Sequence, residues 1–189
     1  LREYADDGSY DTRLAWHPDI RLVDVSDALG NVTRYYFDID GYTYRIIYAD
    51  GLNEWFYRDA QHNLTQHIYP DGSVERFAYD ERGNLIEQAR PDGSVVRMEY
   101  DAKDQMIVII DPQTYRWTRE YDDAGNVTTQ IDPLGHKTRY SYNDQGQPTE
   151  IVDAKGGAKA LAYDAAGRLV SYTDCSGKTT QWTYDEEGR

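Results

Sequence analysis

Four histidines (His17, His62, His67 and His136), one cysteine and a dense scatter of carboxylates are the groups in this 189-residue chain that could do chemistry. A zinc site needs about four ligands converging on one point, and the histidines fall at unrelated places with no partner at ligand spacing. Paired carboxylates such as Asp122-Asp123 and Glu186-Glu187 would suit a glycosidase if two carboxyl groups stood ~5 to 10 Å apart across a substrate. Both pairs lie instead among turn residues, at what reads as the rim of a sheet. Recurring aspartates would suit Ca2+, a collector of oxygen ligands, yet the same aspartates recur wherever a turn is due, ion or no ion. The reading is no catalytic residue, no cofactor and no metal ligand. What remains to explain is why the aspartates are so evenly placed.

Their spacing is that of a repeat. Tyr79-Asp80, Tyr100-Asp101, Tyr121-Asp122, Tyr142-Asn143, Tyr163-Asp164 and Tyr184-Asp185 follow one another at intervals of 21 residues with no insertion. The register extends back through Arg58-Asp59, Phe37-Asp38 and Trp16-His17. Glycine recurs fourteen places after the anchor at Gly30, Gly51, Gly72, Gly93, Gly135, Gly156 and Gly177, and is replaced at Thr114. Fixed self-similarity of this kind marks a repeat architecture, here a single array over 1–189 that is degenerate over 1–36. In that first stretch Asp7-Gly8-Ser9 is one residue out of phase with Asp92-Gly93-Ser94, and Trp16 to Arg21 lacks a turn glycine.

Each repeat carries two turn signals and two strand signals. Asp122-Asp123-Ala124-Gly125-Asn126 follows the anchor and supplies Gly and Asn for positive φ; Asp132-Pro133-Leu134-Gly135 follows ten residues on, with Pro presetting φ and Gly closing the turn. Between them lie short β-rich runs such as Leu85 to Ala89, Val95 to Tyr100, Met106 to Ile110, Val127 to Ile131, Lys137 to Tyr142 and Leu169 to Thr173. Cys175 occupies the place that Pro91, Pro112 and Pro133 hold elsewhere, so it reads as a turn residue; being alone it excludes an internal disulfide and leaves the redox compartment open. The pattern predicts an all-β chain, a continuous antiparallel hairpin meander of about seventeen strands.

Alternation along the strands sorts the side chains by face. Two places before the anchors stand Tyr35, Phe56, Phe77, Met98, Tyr140, Leu161 and Trp182, with Arg119 breaking the series and Trp117 as a possible substitute. This predicts two ladders of large rings on one face and, on the other, a polar row of Arg34, Arg76, Arg97 and Arg139. Ile107-Val108-Ile109-Ile110 is apolar on both faces and predicts a locally covered patch.

Bulk properties agree with this picture. Tyrosine is the favoured large residue, 18 copies, a bias that suits half-buried strands, and a hydrophobic content of 39% is enough to expect a buried core. The net charge of −14 argues against nucleic acid, which needs a basic face, and most of the excess is turn aspartate. Neither a signal peptide nor a long apolar run is present, so no membrane insertion is expected of this segment. Because the chain begins at Leu1 and stops at Gly188-Arg189 within a turn, it is expected to be a piece of something longer.

Seventeen strands at ~4.8 Å make a ribbon roughly 80 Å long, and open sheets seldom pass ~10 strands without curling. A propeller would alternate its connectors every second repeat, and a β-helix would not carry two tight hairpin turns per coil. A curved wall is left. Tyr-Asp-x-x-Gly-Asn-Leu followed by Asp-Pro-x-Gly, as at Tyr79 to Gly93 and Tyr121 to Gly135, resembles the YD repeat of the RHS (rearrangement hot spot) family of polymorphic toxins, shared with Tc toxin shells and teneurins. The resemblance covers essentially the whole chain. It implies an arc of a spiral RHS shell, a structural segment that encapsulates and shields a C-terminal toxic domain before delivery, often through type VI secretion, and not an enzyme. The implied partners are the remaining repeats and the C-terminal toxin of the same polypeptide, with self-association or a secretion-apparatus protein as further options. The implied location is secreted or delivered from a bacterial cell, cytoplasmic before export. The family's self-cleaving core has no counterpart here, and Asp132-Pro133-Leu134-Gly135 stands in ordinary repeat phase. A ~100-residue cargo has a radius of gyration of about 13 Å, which with the wall thickness sets a circumference on the order of 140 Å, so this ribbon is roughly half of one turn. The alternative is a carbohydrate- or cell-surface-binding module, in which exposed tyrosine and tryptophan rings do the recognition.

Overall fold

The computed structural model describes residues 2–4, 11–185 and 187–189. Asp7-Gly8-Ser9 and Glu186 lie outside the described residues. Among the described residues the chain is all-β apart from one 3-10 turn, Pro18–Ile20, and it divides into two compact units, Leu1–Val96 and Arg97–Arg189.

In the first unit β1 (Arg2–Tyr4), β2 (Asp11–His17), β3 (Leu22–Ser26), β4 (Val32–Phe37), β5 (Thr43–Ile47), β6 (Asn53–Arg58), β7 (Leu64–Ile68), β8 (Val74–Tyr79) and β9 (Leu85–Ala89) each pair antiparallel with the next. β10 (Val95–Tyr100) spans the division between the units. The second unit continues with β11 (Met106–Ile110), β12 (Arg116–Tyr121), β13 (Val127–Ile131), β14 (Lys137–Tyr142), β15 (Pro148–Val152), β16 (Ala158–Tyr163), β17 (Leu169–Thr173) and β18 (Thr179–Gln181), again paired neighbour to neighbour. The meander expected from the sequence is thus present, and the six runs picked out there coincide with strands end for end. Eighteen strands are seen among the described residues, one more than expected, because Arg2–Tyr4 pairs with β2 ahead of the regular repeats.

The repeat length follows from strand and turn lengths. From β4 to β17, strands of six and five residues alternate, each followed by a five-residue turn, which sums to the 21-residue step. The turn glycines sit at φ between +75° and +92°, a region that costs a side chain ~1 to 2 kcal/mol. Three turns put another residue there: His62, Asp104 and Thr114, at φ +66°, +62° and +69°. At the degenerate start, where glycine is lacking, Pro18 opens the 3-10 turn and Arg21 takes the left-handed position at φ +48°.

The two hairpins of a repeat differ in one respect. The hairpin that follows an anchor contains a bulge: Ala78 faces Glu87 but Tyr79 faces Leu85, so Ile86 is left over on β9. The same shift occurs beside Phe37, Arg58, Tyr100, Tyr121, Tyr142 and Tyr163. A bulge bends its strand and strengthens local twist. The pairing also slips steadily. Met98 lies opposite Ile109, which lies opposite Trp117, so the residue two strands on is the nineteenth along the chain, and equivalent residues are offset by two places per repeat. At ~3.3 Å per residue and ~4.8 Å per strand, this inclines the strands by roughly 35° to the line joining equivalent positions.

Burial corrects one expectation. Leu22 and Val108 are the buried hydrophobic residues among those described, at 6% and 3% exposure; the 39% hydrophobic content does not build an interior core. The sheet is one layer thick, and its apolar groups are covered by neighbours on the same face. Alternation survives: in β14 the residues Thr138, Tyr140 and Tyr142 are half-buried while Lys137, Arg139 and Ser141 are exposed. Arg34, Arg76 and Arg97 are likewise exposed. Val108 is the covered centre of the apolar run in β11, opposite Glu99 and Thr118 of the neighbouring strands.

The ring ladders are realised differently from expectation. Ring contacts cluster in the first unit: Trp16 meets Phe37 edge-on at 6.2 Å, Tyr36 meets Tyr44, and His67 lies between Phe56 and Tyr69 at 4.6 and 4.0 Å. Of these, Trp16 and Phe37 hold equivalent positions in successive repeats, whereas the other contacts join different places of the repeat, as Phe56 and His67 do across the neighbouring strands β6 and β7.

Thr114 is β-branched in a left-handed turn position, so Thr114→Gly is expected to raise stability by about 0.5–1 kcal/mol once the entropy of glycine is subtracted. At Gly135 (φ +84°) an added Cβ would meet nothing within 4 Å, so Gly135→Ala is expected to cost about 1 kcal/mol from backbone strain alone. Thermal or urea unfolding of the two variants checks both signs.

Candidate functional site

Most turns are closed by a carboxylate. Asp80 Oδ1 accepts the backbone N–H groups of Arg82 and Asn84, both at 2.9 Å, while the Asn84 side-chain amide donates to Oδ2 at 3.0 Å. Gly83 N–H donates to the Asp80 carbonyl at 3.1 Å. Asp101 and Asp164 bind their turns in the same way, Asp185 accepts from Glu187 and Arg189, and Asn143 does so through its amide oxygen. The second turn of the repeat uses the identical device: Asp132 Oδ1 takes Leu134 and His136 N–H at 2.9 Å, and Gly135 N–H reaches the Asp132 carbonyl. Where Tyr48, Tyr69 or Arg90 opens the turn, the carboxylate moves two places on, to Asp50, Asp71 or Asp92, and binds one N–H.

The anchor tyrosines tie repeat to repeat. The hydroxyls of Tyr79, Tyr121, Tyr142, Tyr163 and Tyr184 donate to the carbonyls of Leu64, Met106, Val127, Pro148 and Leu169, each fifteen residues back, at 2.8–3.0 Å. The acceptor is always the first residue of the previous five-residue strand, beyond the last rung of its ladder with the anchor's strand. In β7, for example, that rung is Gln66 opposite Arg76, and Tyr79 satisfies the Leu64 carbonyl that lies past it. Phe37 and Arg58 cannot make this bond. Phe37 packs on Trp16, and Arg58 lies 4.9 Å over Tyr42, which stacks on His62.

One polar cluster departs from the repeat. Glu54, 9% exposed, accepts from the Tyr48 hydroxyl and meets His67 Nε2 at 2.5 Å. Across the strand Glu75 accepts from the Tyr69 hydroxyl at 2.8 Å and from the Gln88 amide at 2.6 Å. The bond to Glu54 pushes the Tyr48 phenol up to about 12, and the bond to Glu75 raises that of Tyr69. Spread over β6, β7, β8, β9 and the turns beside them, this cluster joins consecutive hairpins. The other histidines also sit beside carboxylates: His17 by Asp24 at 3.2 Å, His62 by Asp40 at 3.9 Å and His136 by Asp132 at 2.8 Å. Among the described residues no three His, Cys, Asp or Glu converge as a metal site would require. Asp122 caps its turn, whereas Asp123 points to Lys103 at 3.3 Å, so the adjacent pair does not face one substrate. Cys175 is exposed and unpaired by any disulfide.

The RHS Repeat family matches residues 79–116, 121–158 and 163–189, more than half of the chain. The chain belongs to the RHS repeat family. No curated protein matches it in sequence. Among solved structures, this RHS array is similar to the crystal structure of TcdB2-TccC3, with TM-score 0.67 and 16% identity over 100% of this chain and 13% of that one. It also resembles TcdB2-TccC3 without its hypervariable C-terminal region, with TM-score 0.64 and 16% identity over 97% of this chain and 12% of that one. The RHS chain thus spans a small fraction of the structures whose fold it shares. The matched family segments begin on the anchors Tyr79, Tyr121 and Tyr163, three of the residues whose hydroxyls bridge repeats.

Removing one bridge leaves a carbonyl without its donor, so Tyr142→Phe is expected to destabilise the RHS chain by about 1–2 kcal/mol, whereas Phe37→Leu removes no such bond and loses ring packing on Trp16 instead. Denaturant melts of the two variants separate the cases. The turn carboxylates add an acid limit. Hydrogen bonds from the Asn84 and Asn126 amides, followed by backbone N–H groups, hold Asp80 and Asp122 below their ordinary value of 3.8. A depressed folded-state value means that this stabilisation is complete above the ordinary value and is lost as pH falls through the lower folded ones. Acid unfolding followed by circular dichroism is expected to set in below pH 4 or so, and an Asp122→Asn variant, whose amide no longer titrates, should shift it to lower pH.

Proposed function

We propose that this RHS array is a length of shell wall that encloses and shields a C-terminal toxic domain of the same polypeptide until delivery. The observation that carries the reading is the tyrosine bridge, present at Tyr79 and at each 21-residue step from Tyr121 to Tyr184, which joins hairpin to hairpin through backbone carbonyls. Tyr79, Tyr100, Tyr121, Tyr142, Tyr163 and Tyr184 with Asp80, Asp101, Asp122, Asp164, Asp185 and Gly135 act in this reading as register and turn residues of one array over 1–189. The polar groups of these turns are engaged in holding hairpins, so the wall itself performs no catalysis. The strand inclination of roughly 35° agrees with the tilt at which sheets curl into closed walls, and the likeness to the TcdB2-TccC3 fold supports the same picture. The remaining repeats are the first partner, and a secretion apparatus is the second. The protein is secreted or delivered from a bacterial cell after a cytoplasmic stage.

The test uses the full-length polypeptide. Limited proteolysis of the intact protein is expected to spare the domain that follows the repeats, and deletion of two or more whole repeats from this segment is expected to expose it. Equal protease resistance of that domain with and without the repeats would overturn the reading.

A further inference from the structure

Two polar cells of the same build follow one another along the first unit. In the first, Glu54 accepts from the Tyr48 hydroxyl through Oε2 and meets His67 Nε2 through Oε1. In the second, 21 residues on, Glu75 accepts from the Tyr69 hydroxyl through Oε2 and from the Gln88 amide through Oε1. The same places one repeat earlier hold Asp27, Thr33 and Ile46, and one repeat later Arg90, Val96 and Ile109, so the device is confined to two repeats. The cells differ in the nitrogen that serves the carboxylate, an imidazole in one and an amide in the other. Of these two groups the imidazole alone is of a type that changes charge between pH 5 and 8. The phenols are pushed up by their carboxylates, Tyr48 to about 12, and stay neutral over that range.

We propose that His67 makes the β6–β7 hairpin a pH-responsive joint, firm while the imidazole is charged and looser once it is neutral. The geometry carries this. The side chains of His67 and Glu54 are 14% and 12% exposed and meet at 2.5 Å, so the pair is shielded from water and salt, where a charge counts most. Phe56 at 4.6 Å and Tyr69 at 4.0 Å hold the imidazole between them. From β8, Glu75 lies directly opposite His67 on the paired strand. On the other side, Asp50 of the turn before β6 and Tyr35 of β4 act electrostatically on Tyr48. No arginine or lysine pairs with Glu54 or Glu75 among the described residues, so a protonated His67 is the cation set against both carboxylates. Loss of that proton leaves two like charges served by neutral donors alone, which is unfavourable where water is excluded. The stabilisation is therefore present while the imidazole holds its proton and is lost as pH rises. The joint belongs to this hairpin whether or not the array encloses anything.

Hydrogen–deuterium exchange of the chain at about pH 5.5 and about pH 8, corrected for intrinsic exchange, tests it. Amides of β6 and β7 are expected to lose protection roughly fivefold at the higher pH, the difference between a charged and a neutral donor to a carboxylate. Those of β16 and β17, a hairpin without histidine, should hold theirs. His67→Gln, which copies the donor of the neighbouring cell, should abolish the loss, and Gln88→His should create one in β8 and β9. If His67→Gln fails to fold by circular dichroism, Gln88→His carries the test alone. The proposal is overturned by protection in β6 and β7 that does not change with pH, by an equal loss in β16 and β17, or by a loss that survives in His67→Gln. A Gln88→His chain whose β8 and β9 keep full protection at the higher pH overturns it as well.

Discussion

One carboxylate oxygen accepting two backbone N–H groups closes most of the described turns of this protein, and the rest of the structure depends on it. A one-layer sheet has no interior to hold its strands in register, so register must come from the hairpin ends and from cross-strand contacts. The carboxylate supplies the first. It orders the five turn residues, fixes the glycine in its left-handed position and delivers the next strand at a set length. The excess of negative charge is a direct result, because each turn contributes an acid whatever lies on the faces.

The anchor tyrosine then couples turns that are not adjacent in the chain. Its ring covers the sheet surface at the bulge, where the ladder stops, and its hydroxyl takes the carbonyl that the ladder leaves behind. Phenylalanine could do the first but not the second. Where the second is lost, in the repeats anchored at Phe37 and Arg58, other contacts take over: Trp16 on Phe37, and Arg58 over Tyr42. Nearby, the Glu54, His67 and Tyr48 cluster joins hairpins through buried polar groups. The first unit combines rings, charges and the Tyr79 bridge, where the second has the hydroxyl bridges of Tyr121, Tyr142, Tyr163 and Tyr184.

Much of this was legible in the residues. Gly, Asn, Asp and Pro punctuate the chain so closely that strands such as Met106–Ile110 and Val127–Ile131 could be read end for end, and Thr114 was marked as the place where a glycine was due. Other features were not. The bulge after each anchor removes one residue from pairing without any residue type that announces it. The carbonyl that Tyr121 binds belongs to Met106, and a backbone acceptor fifteen residues away has no side-chain signature. Hydrophobic content misled, since it counts apolar residues without saying whether they share one layer or two. The carboxylate neighbour of His67, Glu54, is set by strand pairing and so was hidden.

The steady slip of two places per repeat has a consequence for how such a chain can change length. Because every hairpin meets the next with the same offset, excising or duplicating a whole 21-residue block leaves all the surviving seams matched. A block of any other size would set an anchor against the wrong carbonyl. Growth and shrinkage by recombination are therefore quantised, and the fold tolerates large edits more readily than small ones.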